Sequence, residues 1–271
     1  MTSQPSSLKG QWALILGASS GFGAASALAL ARAGCNVAGV HLDRKATLPK
    51  VQALIAEIEA LGVKALFFNV NASSQDKRAE VFDALRGAGV QRVKVLLHSL
   101  AFGSLLPFFP VPGGAEEEAK FMGRDRMEMT LDVMAHSLVY WTQELLDAGL
   151  LGEGGRIFSM TSSGGARVMP SYGAVSAAKA ALESHTRQMA MELAPRGITV
   201  NALRAGVTDT PALRMIPGNA RILDMARERN PAGRLTTPED VAGALVALSG
   251  PGTDWITGNV IGVDGGEDIV G

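Results

Sequence analysis

Cysteine is nearly absent from this chain, whose 271 residues include only Cys35, in an apolar strand-like run. A single cysteine excludes an internal disulfide and fits a reducing compartment. Lys and Arg number 25 against 26 Asp and Glu, without a basic block, which argues against nucleic acid as a partner. No apolar run reaches the roughly 18 residues of a membrane span, and the polar N-terminus lacks a signal peptide's hydrophobic region. We therefore expect a cytoplasmic protein that binds neither nucleic acid nor a membrane.

Metal-ligand spacing is also missing from the four histidines, the cysteine and the acidic residues. His98 continues an apolar strand-like run, and we expect it to be structural. His136 falls in a helical pattern without an evident acidic partner. The sequence therefore predicts no metal site.

What the chain does contain is a regular alternation of strand-like apolar runs and helical patterns. Strands that are separated by helical crossovers pair in parallel. The expected fold is a single α/β domain over residues 1–271, a Rossmann-type doubly wound parallel sheet with helices on both faces. Strands are predicted at 12–16, 36–41, 65–70, 93–98, 156–160, 199–203 and 260–263, and helices at 21–33, 50–61, 75–86, 125–148, 172–193 and 238–248.

Two longer stretches interrupt this alternation. Residues 104–122 follow the fourth strand, and residues 208–229 follow the sixth. Ligands of such sheets bind at the carboxyl ends of the strands, from which both stretches leave. Long excursions at such places are more often functional than idle, so we predict two substrate-side lids.

A glycine-rich turn, Gly17-Ala-Ser-Ser-Gly21-Phe-Gly23, follows the first strand and opens the first helix. Glycines let the backbone approach a pyrophosphate, and the helix N-terminus supplies unpaired N–H groups and positive potential. A glycine triplet alone is weak evidence, but its strand–turn–helix context near the N-terminus strengthens it. The turn predicts a dinucleotide site.

The second strand ends in residues that point in two directions on cofactor choice. An acid at the strand tip would hold the ribose 2′-hydroxyl and repel a 2′-phosphate. Here the tip is His41, with Asp43 and Arg44 just beyond it. Arg44 could pair with the 2′-phosphate of NADPH, whereas Asp43 could hold the two ribose hydroxyls of NADH. Ser20 argues against the phosphate, because its position often carries a basic residue when NADP is used. We expect NADPH, with NADH possible.

Tyr172 and Lys179 stand seven residues apart in a predicted helix. Seven residues turn through about 700°, so both side chains leave one face, about 10 Å apart along the axis. A nearby ammonium favours the phenolate, and a phenol of lowered pKa can act as an acid catalyst near neutral pH. The pair predicts a catalytic site, although a surface lysine and a helix-start tyrosine could share a face without any function.

Several segments together resemble the short-chain dehydrogenase/reductase family over essentially the whole chain. They are the glycine turn, Val-Asn-Ala-Leu at 200–203 and Val-Asp-Gly-Gly at 263–266. In most members the catalytic tyrosine precedes the lysine by four residues. That position is Val175 here, and a valine cannot exchange a proton.

The seven-residue spacing instead resembles the enoyl-[acyl-carrier-protein] reductases, a divergent branch of the family. The His-Ser-Leu-Ala-Phe segment at 98–102 and the segment at 230–241 are similar to that branch. Met134 aligns with the asparagine that serves a proton relay in most relatives. Ser162 stands where the best-known enoyl reductases have a second tyrosine, and the ordinary glycine turn also departs from theirs. Both departures resemble the NADPH-using subtype.

The resemblance implies roles for individual residues. Tyr172 would hydrogen-bond the enolate oxygen of an enoyl thioester, and Lys179 would hold the nicotinamide ribose. Ser162 would either assist catalysis by polarising the substrate or simply end a strand. Apolar candidates for the acyl pocket are Leu105, Phe108, Phe109 and Met215. The residues expected to bind the cofactor are Gly17, Ser19, Ser20, Gly21, Phe22, Gly23, His41, Asp43, Arg44, Asn69, Val70, Ser99, Leu100, Ala101, Lys179, Gly206, Thr208 and Thr210.

The implied activity is enoyl thioester reduction in fatty-acid synthesis, with a substrate carried on acyl carrier protein and a homotetrameric assembly. Two alternatives remain open. One is a ketone or alcohol short-chain reductase that has moved its tyrosine. The other is a nicotinamide-binding sensor that has lost its chemistry.

Overall fold

The computed structural model describes residues 8–110 and 121–270. The strands in these residues are β1 (Trp12–Leu16), β2 (Asn36–His41), β3 (Ala65–Asn69), β4 (Val93–His98), β5 (Arg156–Ser162), β6 (Thr199–Ala205) and β7 (Val260–Val263). They form one parallel sheet in the order β3-β2-β1-β4-β5-β6-β7. The predicted Rossmann-type doubly wound sheet is confirmed.

Both faces of the sheet are buried. Successive side chains of a strand point to opposite faces. In β1, Leu14 and Leu16 join one hydrophobic cluster, whereas Ala13 and Ile15 join the other. This explains why β1 reads as a continuous apolar run instead of an alternating pattern.

Helices cover both faces. They are α1 (Gly21–Arg32), α2 (Leu48–Ala60), α3 (Gln75–Gly87), α4 (Arg124–Leu131), α5 (Ser137–Asp147), α6 (Gly173–Leu193), α7 (Pro211–Arg214), α8 (Asn219–Arg229) and α9 (Pro238–Ser249). The second predicted lid, 208–229, therefore contains two helices that the sequence patterns did not indicate. Of the first predicted lid, 104–122, residues 111–120 lie outside the described residues.

A five-residue π-helix, Asp132–His136, separates α4 from α5. The sequence predicted one mostly continuous helix here, because a π turn has no marked apolar period of its own. Beyond it, the Trp141 indole donates a hydrogen bond to the Ala72 carbonyl at 2.9 Å. Trp141 is fully buried, so this bond fixes α5 against the loop that follows β3.

Two further observations concern the described residues alone. No helix among them combines the length and the hydrophobicity that a membrane crossing requires. No three of their His, Cys, Asp or Glu side chains come together as a metal ion would need.

Candidate active site

The turn between β1 and α1 is shaped by glycines whose neighbours leave no room for a side chain. Gly17 has φ of 87°, and a Cβ there would lie 2.3 Å from the Ser99 carbonyl oxygen. A Cβ on Gly23 would lie 2.0 Å from the Gly17 carbonyl oxygen. Ser20 precedes α1 in extended conformation and makes no side-chain cap. The first N–H groups of α1 therefore stay available to an anion such as a pyrophosphate.

The tip of β2 holds a buried carboxylate. His41 Nδ1 and Asp43 Oδ2 lie 2.9 Å apart, and both side chains are largely buried. The Asn69 side chain bonds the backbone of Asp43 twice. Its Oδ1 accepts from the Asp43 N–H at 2.8 Å, and its Nδ2 donates to the Asp43 carbonyl at 3.0 Å. Burial raises the pKa of Asp43, but hydrogen bonds with Thr47, Ser19 and His41 outweigh it and hold the pKa below its usual value. The carboxylate is thus ionised beside the glycine turn.

Arg44 is the next residue after Asp43, and its side chain differs from that of Asp43 in exposure and in bonding. It is exposed, and its guanidinium makes no hydrogen bond or ion pair with any described residue. Val70, on the neighbouring strand end, donates its N–H to the His41 carbonyl at 2.8 Å. The end of β2 therefore presents one anchored anion and one unanchored cation.

The end of β4 contributes backbone to the same edge. Ser99 donates its N–H to the Leu16 carbonyl at 2.9 Å, and Leu100 and Ala101 continue the chain outward. His98, which ends β4, is fully buried with its Nε2 2.9 Å from Ser137 Oγ. Burial, with the nearby charge of Lys179, lowers the pKa of His98 to about 3. The imidazole stays neutral at physiological pH, in agreement with the structural role predicted for it.

The loop after β6 closes over the glycine turn. A Cβ on Gly206 would lie 2.3 Å from the Thr236 hydroxyl, and Thr208 donates its hydroxyl to the Gly206 carbonyl at 3.0 Å. Thr210 caps α7 with its own hydroxyl. Its methyl carbon would be 3.5 Å from a Cβ on Gly21, which places Thr210 beside the N-terminus of α1.

Tyr172 lies immediately before α6 rather than in its first turn. Its side chain is buried, and Gly164 packs against the ring, since a Cβ there would lie 2.6 Å from Tyr172 Cε1. Burial raises the pKa of Tyr172, and the nearby Ser162 hydroxyl opposes that rise only in part. The predicted lowering of the pKa by Lys179 is therefore wrong. Ser162 Oγ itself is buried without a hydrogen-bond partner in standard geometry among the described residues.

The position of the Lys179 ammonium explains why its charge does not lower the pKa of Tyr172. The ammonium is buried and donates to the Met160 carbonyl at 2.6 Å. Burial lowers the pKa of Lys179 to about 8, although Glu183 acts in the opposite direction. The ammonium is thus directed toward the end of β5, and part of its population is neutral just above physiological pH.

The two positions where most short-chain reductases exchange protons hold apolar side chains. Val175 and Met134 are both buried, and both contact Gly103, where a Cβ would lie 2.8 Å from Val175 Cγ2 and from Met134 Sδ. Neither side chain can take or give a proton.

The predicted site residues lie at the carboxyl ends of β1 to β6, in the loops that follow them, and in the N-terminal parts of α1 and α6. Among them, the Asn69 amide is engaged with backbone, and Phe22 packs on a hydrophobic cluster. Sequence reasoning missed Thr47, which bonds the Asp43 carboxylate, and Gly173, on which Phe108 rests. Thr47 precedes α2 without capping it, so neither contact has a local signal in the sequence.

Comparison with known proteins supports the family resemblance that the sequence motifs indicated. The family model described as enoyl-(acyl carrier protein) reductase matches residues 17–267. The chain is 31% identical to 1-cyclohexenylcarbonyl-CoA reductase of Streptomyces collinus, over 96% of this chain and 88% of that protein. It is 29% identical to a 3-oxoacyl-[acyl-carrier-protein] reductase of Thermotoga maritima, over 96% and 98% of the two chains. The crystal structure of the NADH-dependent enoyl-[acyl-carrier-protein] reductase of Aquifex aeolicus superposes with a TM-score of 0.81 at 27% identity, over 98% and 99%.

The names of these relatives describe more than one reaction, and all of them are reductases. The chain belongs to the short-chain dehydrogenase/reductase family, resembles its enoyl-[acyl-carrier-protein] reductases, and is a nicotinamide-dependent oxidoreductase.

Proposed function

We propose that the protein is an enoyl thioester reductase that acts in fatty-acid synthesis. The observation that carries this proposal is the placement of its proton donor. Tyr172 is a buried phenol with a raised pKa, whereas Val175 occupies the position of the acid in carbonyl reductases. The match to the enoyl reductase model and to a CoA-thioester enoyl reductase supports the same reaction class.

The position of Tyr172 suits this chemistry. In ketone reduction, the carbon that accepts hydride bonds directly to the oxygen that accepts the proton. In an enoyl thioester, the oxygen lies two bonds farther from the β-carbon, so the acid has to stand elsewhere along α6. When bound, the nicotinamide supplies the hydride. Tyr172 donates a hydrogen bond to the thioester oxygen, on which enolate charge gathers, and its raised pKa keeps it a donor at neutral pH.

The residues present fit a nicotinamide cofactor. Gly17 and Gly23 allow the tight turn between β1 and α1, and the uncapped start of α1 leaves backbone N–H groups to which a pyrophosphate can bind. Thr210 would stand beside that phosphate. Lys179 would turn from the Met160 carbonyl toward the ribose, and Ser162 would add a hydroxyl near Tyr172.

We further propose that NADPH binds through Arg44 and that Asp43 decides how well NADH competes. The exposed Arg44 guanidinium has no described partner and can pair with a 2′-phosphate. The ionised Asp43 carboxylate can accept from the ribose hydroxyls of NADH and would repel a phosphate.

The substitution Tyr172→Phe tests the reaction. We expect kcat for crotonyl thioester to fall about 100-fold, because one donor to the developing oxyanion is lost. The protein should remain folded, since Phe keeps the buried ring. Tyr140→Phe is the matched control, because Tyr140 is the other tyrosine of the chain and lies at the surface of α5. Turnover by Tyr172→Phe within a few-fold of wild type would contradict the assigned acid.

A second candidate reaction is reduction of a 3-oxoacyl thioester, which the 29% identical relative from Thermotoga maritima favours. Parallel assays with crotonyl and acetoacetyl thioesters separate the two reactions. A nicotinamide sensor would bind cofactor and turn over neither substrate.

The remaining proposals concern assembly and context. We propose a homotetramer built on the helices of 125–148 and 172–193 and on β7, because Tyr140 and Met191 expose apolar surface on α5 and α6. Sedimentation analysis at several concentrations tests it. Residues 104–122 and 208–229 would serve as lids within one domain, protected from protease when substrate binds. The substrate would be carried on acyl carrier protein, in the cytoplasm.

A further inference from the structure

Phe108 rests on the first residue of α6, directly beside Tyr172. A Cβ on Gly173 would lie 2.4 Å from Phe108 Cζ and 2.8 Å from both Cε atoms. The ring therefore occupies the space where any other residue would place its side chain. Gly173 is helical and its φ is not positive, so backbone conformation does not require glycine there. The contact with Phe108 supplies the reason for it.

The segment that carries Phe108 is anchored on both sides. Ser104 donates its N–H to the Thr130 hydroxyl at 3.0 Å, and the Pro107 carbonyl accepts from the Met122 N–H at 2.8 Å. Leu105 packs against the main hydrophobic cluster. These contacts hold the loop along the start of α6 and fix the height of the ring above it.

Among the four apolar lid candidates, Phe108 alone combines anchoring with an open face. Leu105 is partly buried against the main hydrophobic cluster, whereas Phe109 and Met215 are 81% and 74% exposed. Phe108 is 45% exposed, with one side on Gly173 and the other toward solvent. A half-covered ring beside the proton donor is a wall that an apolar ligand can complete.

We propose that Phe108 is a specificity-determining residue, whose open ring face receives the distal part of a long acyl chain. This inference rests on the proposed enoyl thioester activity and names the part of the substrate that the loop recognises. In the proposed complex Tyr172 holds the thioester oxygen, and the Phe108 ring lies over Gly173, the next residue in the chain. A four-carbon crotonyl group ends near the reacting atoms, while a twelve-carbon chain extends over the ring.

The test compares crotonyl and dodecenoyl thioesters in Phe108→Ala. The kcat/KM for the dodecenoyl substrate should fall about 10-fold through KM, because each buried methylene contributes to binding and several lose their contact. The crotonyl value should stay within about 3-fold, since the short chain does not reach the ring. Phe109→Ala is the matched control and should leave the dodecenoyl-to-crotonyl ratio unchanged. An unchanged ratio in Phe108→Ala would overturn the inference.

A double-mutant cycle tests the contact independently of turnover. Gly173→Ala should lower the unfolding midpoint in wild type, because the methyl displaces the ring, and should be nearly silent in Phe108→Ala, where the space is empty. Equal effects in both backgrounds would show that the ring does not explain Gly173. Failure of wild type to reduce either enoyl thioester would overturn the proposed function and this inference together. Reduction of both, with an unchanged ratio in Phe108→Ala, would overturn this inference alone.

Discussion

Two glycines near helix starts, Gly23 in α1 and Gly173 in α6, meet different kinds of neighbour. A Cβ on Gly23 would strike the carbonyl oxygen of Gly17, which is backbone fixed between strand and helix. A Cβ on Gly173 would strike the ring of Phe108, the far end of a side chain. Backbone cannot yield without unfolding the turn, whereas a ring can rotate away. Gly23, in the proposed cofactor turn, is therefore constrained by backbone, whereas Gly173, on the proposed substrate side, is constrained by a side chain that can move.

The substitution Gly23→Ala tests the difference between these two glycines most directly. We expect a loss of unfolding free energy of about 3 kcal/mol, since the methyl overpacks against backbone. Cofactor binding should be lost with it, because the same turn is proposed to receive the pyrophosphate. Urea denaturation and titration with NADPH measure the two effects.

Gly87→Ala is the control for Gly23→Ala, because Gly87 ends α3 and nothing lies within 4 Å of its missing Cβ. This substitution should raise the unfolding free energy by up to about 1 kcal/mol, the usual difference between the two residues in a helix. Similar losses in both variants would contradict the argument from the backbone contact.

Lys179→Met tests whether a buried amine on the proposed substrate side lowers the unfolding free energy. Burial lowers the pKa of Lys179 to about 8, below its ordinary value of 10.5. The unfolded chain therefore binds this proton more tightly than the folded one. The resulting penalty on folding is constant below pH 8 and fades as pH rises toward 10.5. Removing the amine should raise the unfolding free energy at pH 7 by up to about 3 kcal/mol and abolish turnover.

Urea denaturation of Lys179→Met at pH 7 and at pH 10 checks the sign. The gain over wild type should be smaller at pH 10 than at pH 7. Lys77→Met, at an exposed position on α3, supplies the baseline. A gain that grows with pH would contradict the assigned cause of the shift.

The smallest effect concerns the choice between cofactors at the end of β2. Arg44→Ala should lower kcat/KM for NADPH about 10-fold, the usual scale for an exposed charge-assisted bond to phosphate, and leave NADH nearly unchanged. Asp43→Asn should improve NADPH relative to NADH, because a buried negative charge is removed. Steady-state kinetics with both cofactors provide the measurement, and equal losses with both in Arg44→Ala would contradict a contact to the 2′-phosphate.

The same contrast explains what the sequence could predict. The glycine turn is a local pattern, and so are the strands, whose apolar runs reflect burial on both faces. The π-helix at Asp132–His136 and the contact of Phe108 with Gly173 depend on packing between distant segments and carry no local period. The raised pKa of Tyr172 also depends on burial by distant segments, so the sequence did not predict it. The spacing in the sequence predicts that Tyr172 pairs with Lys179, whereas the Lys179 ammonium bonds the Met160 carbonyl.

The π-helix also has a bearing on how this protein tolerates insertions and deletions. Each residue added to or removed from a helix rotates everything beyond it by about 100°. Deleting one residue within Asp132–His136 would give a regular α-helical turn and would swing α5 about its axis. Trp141 would then leave the Ala72 carbonyl, and Ser137 would leave His98. A segment that looks like an irregularity thus sets the phase of a whole helix, and its length is as tightly constrained as any buried side chain.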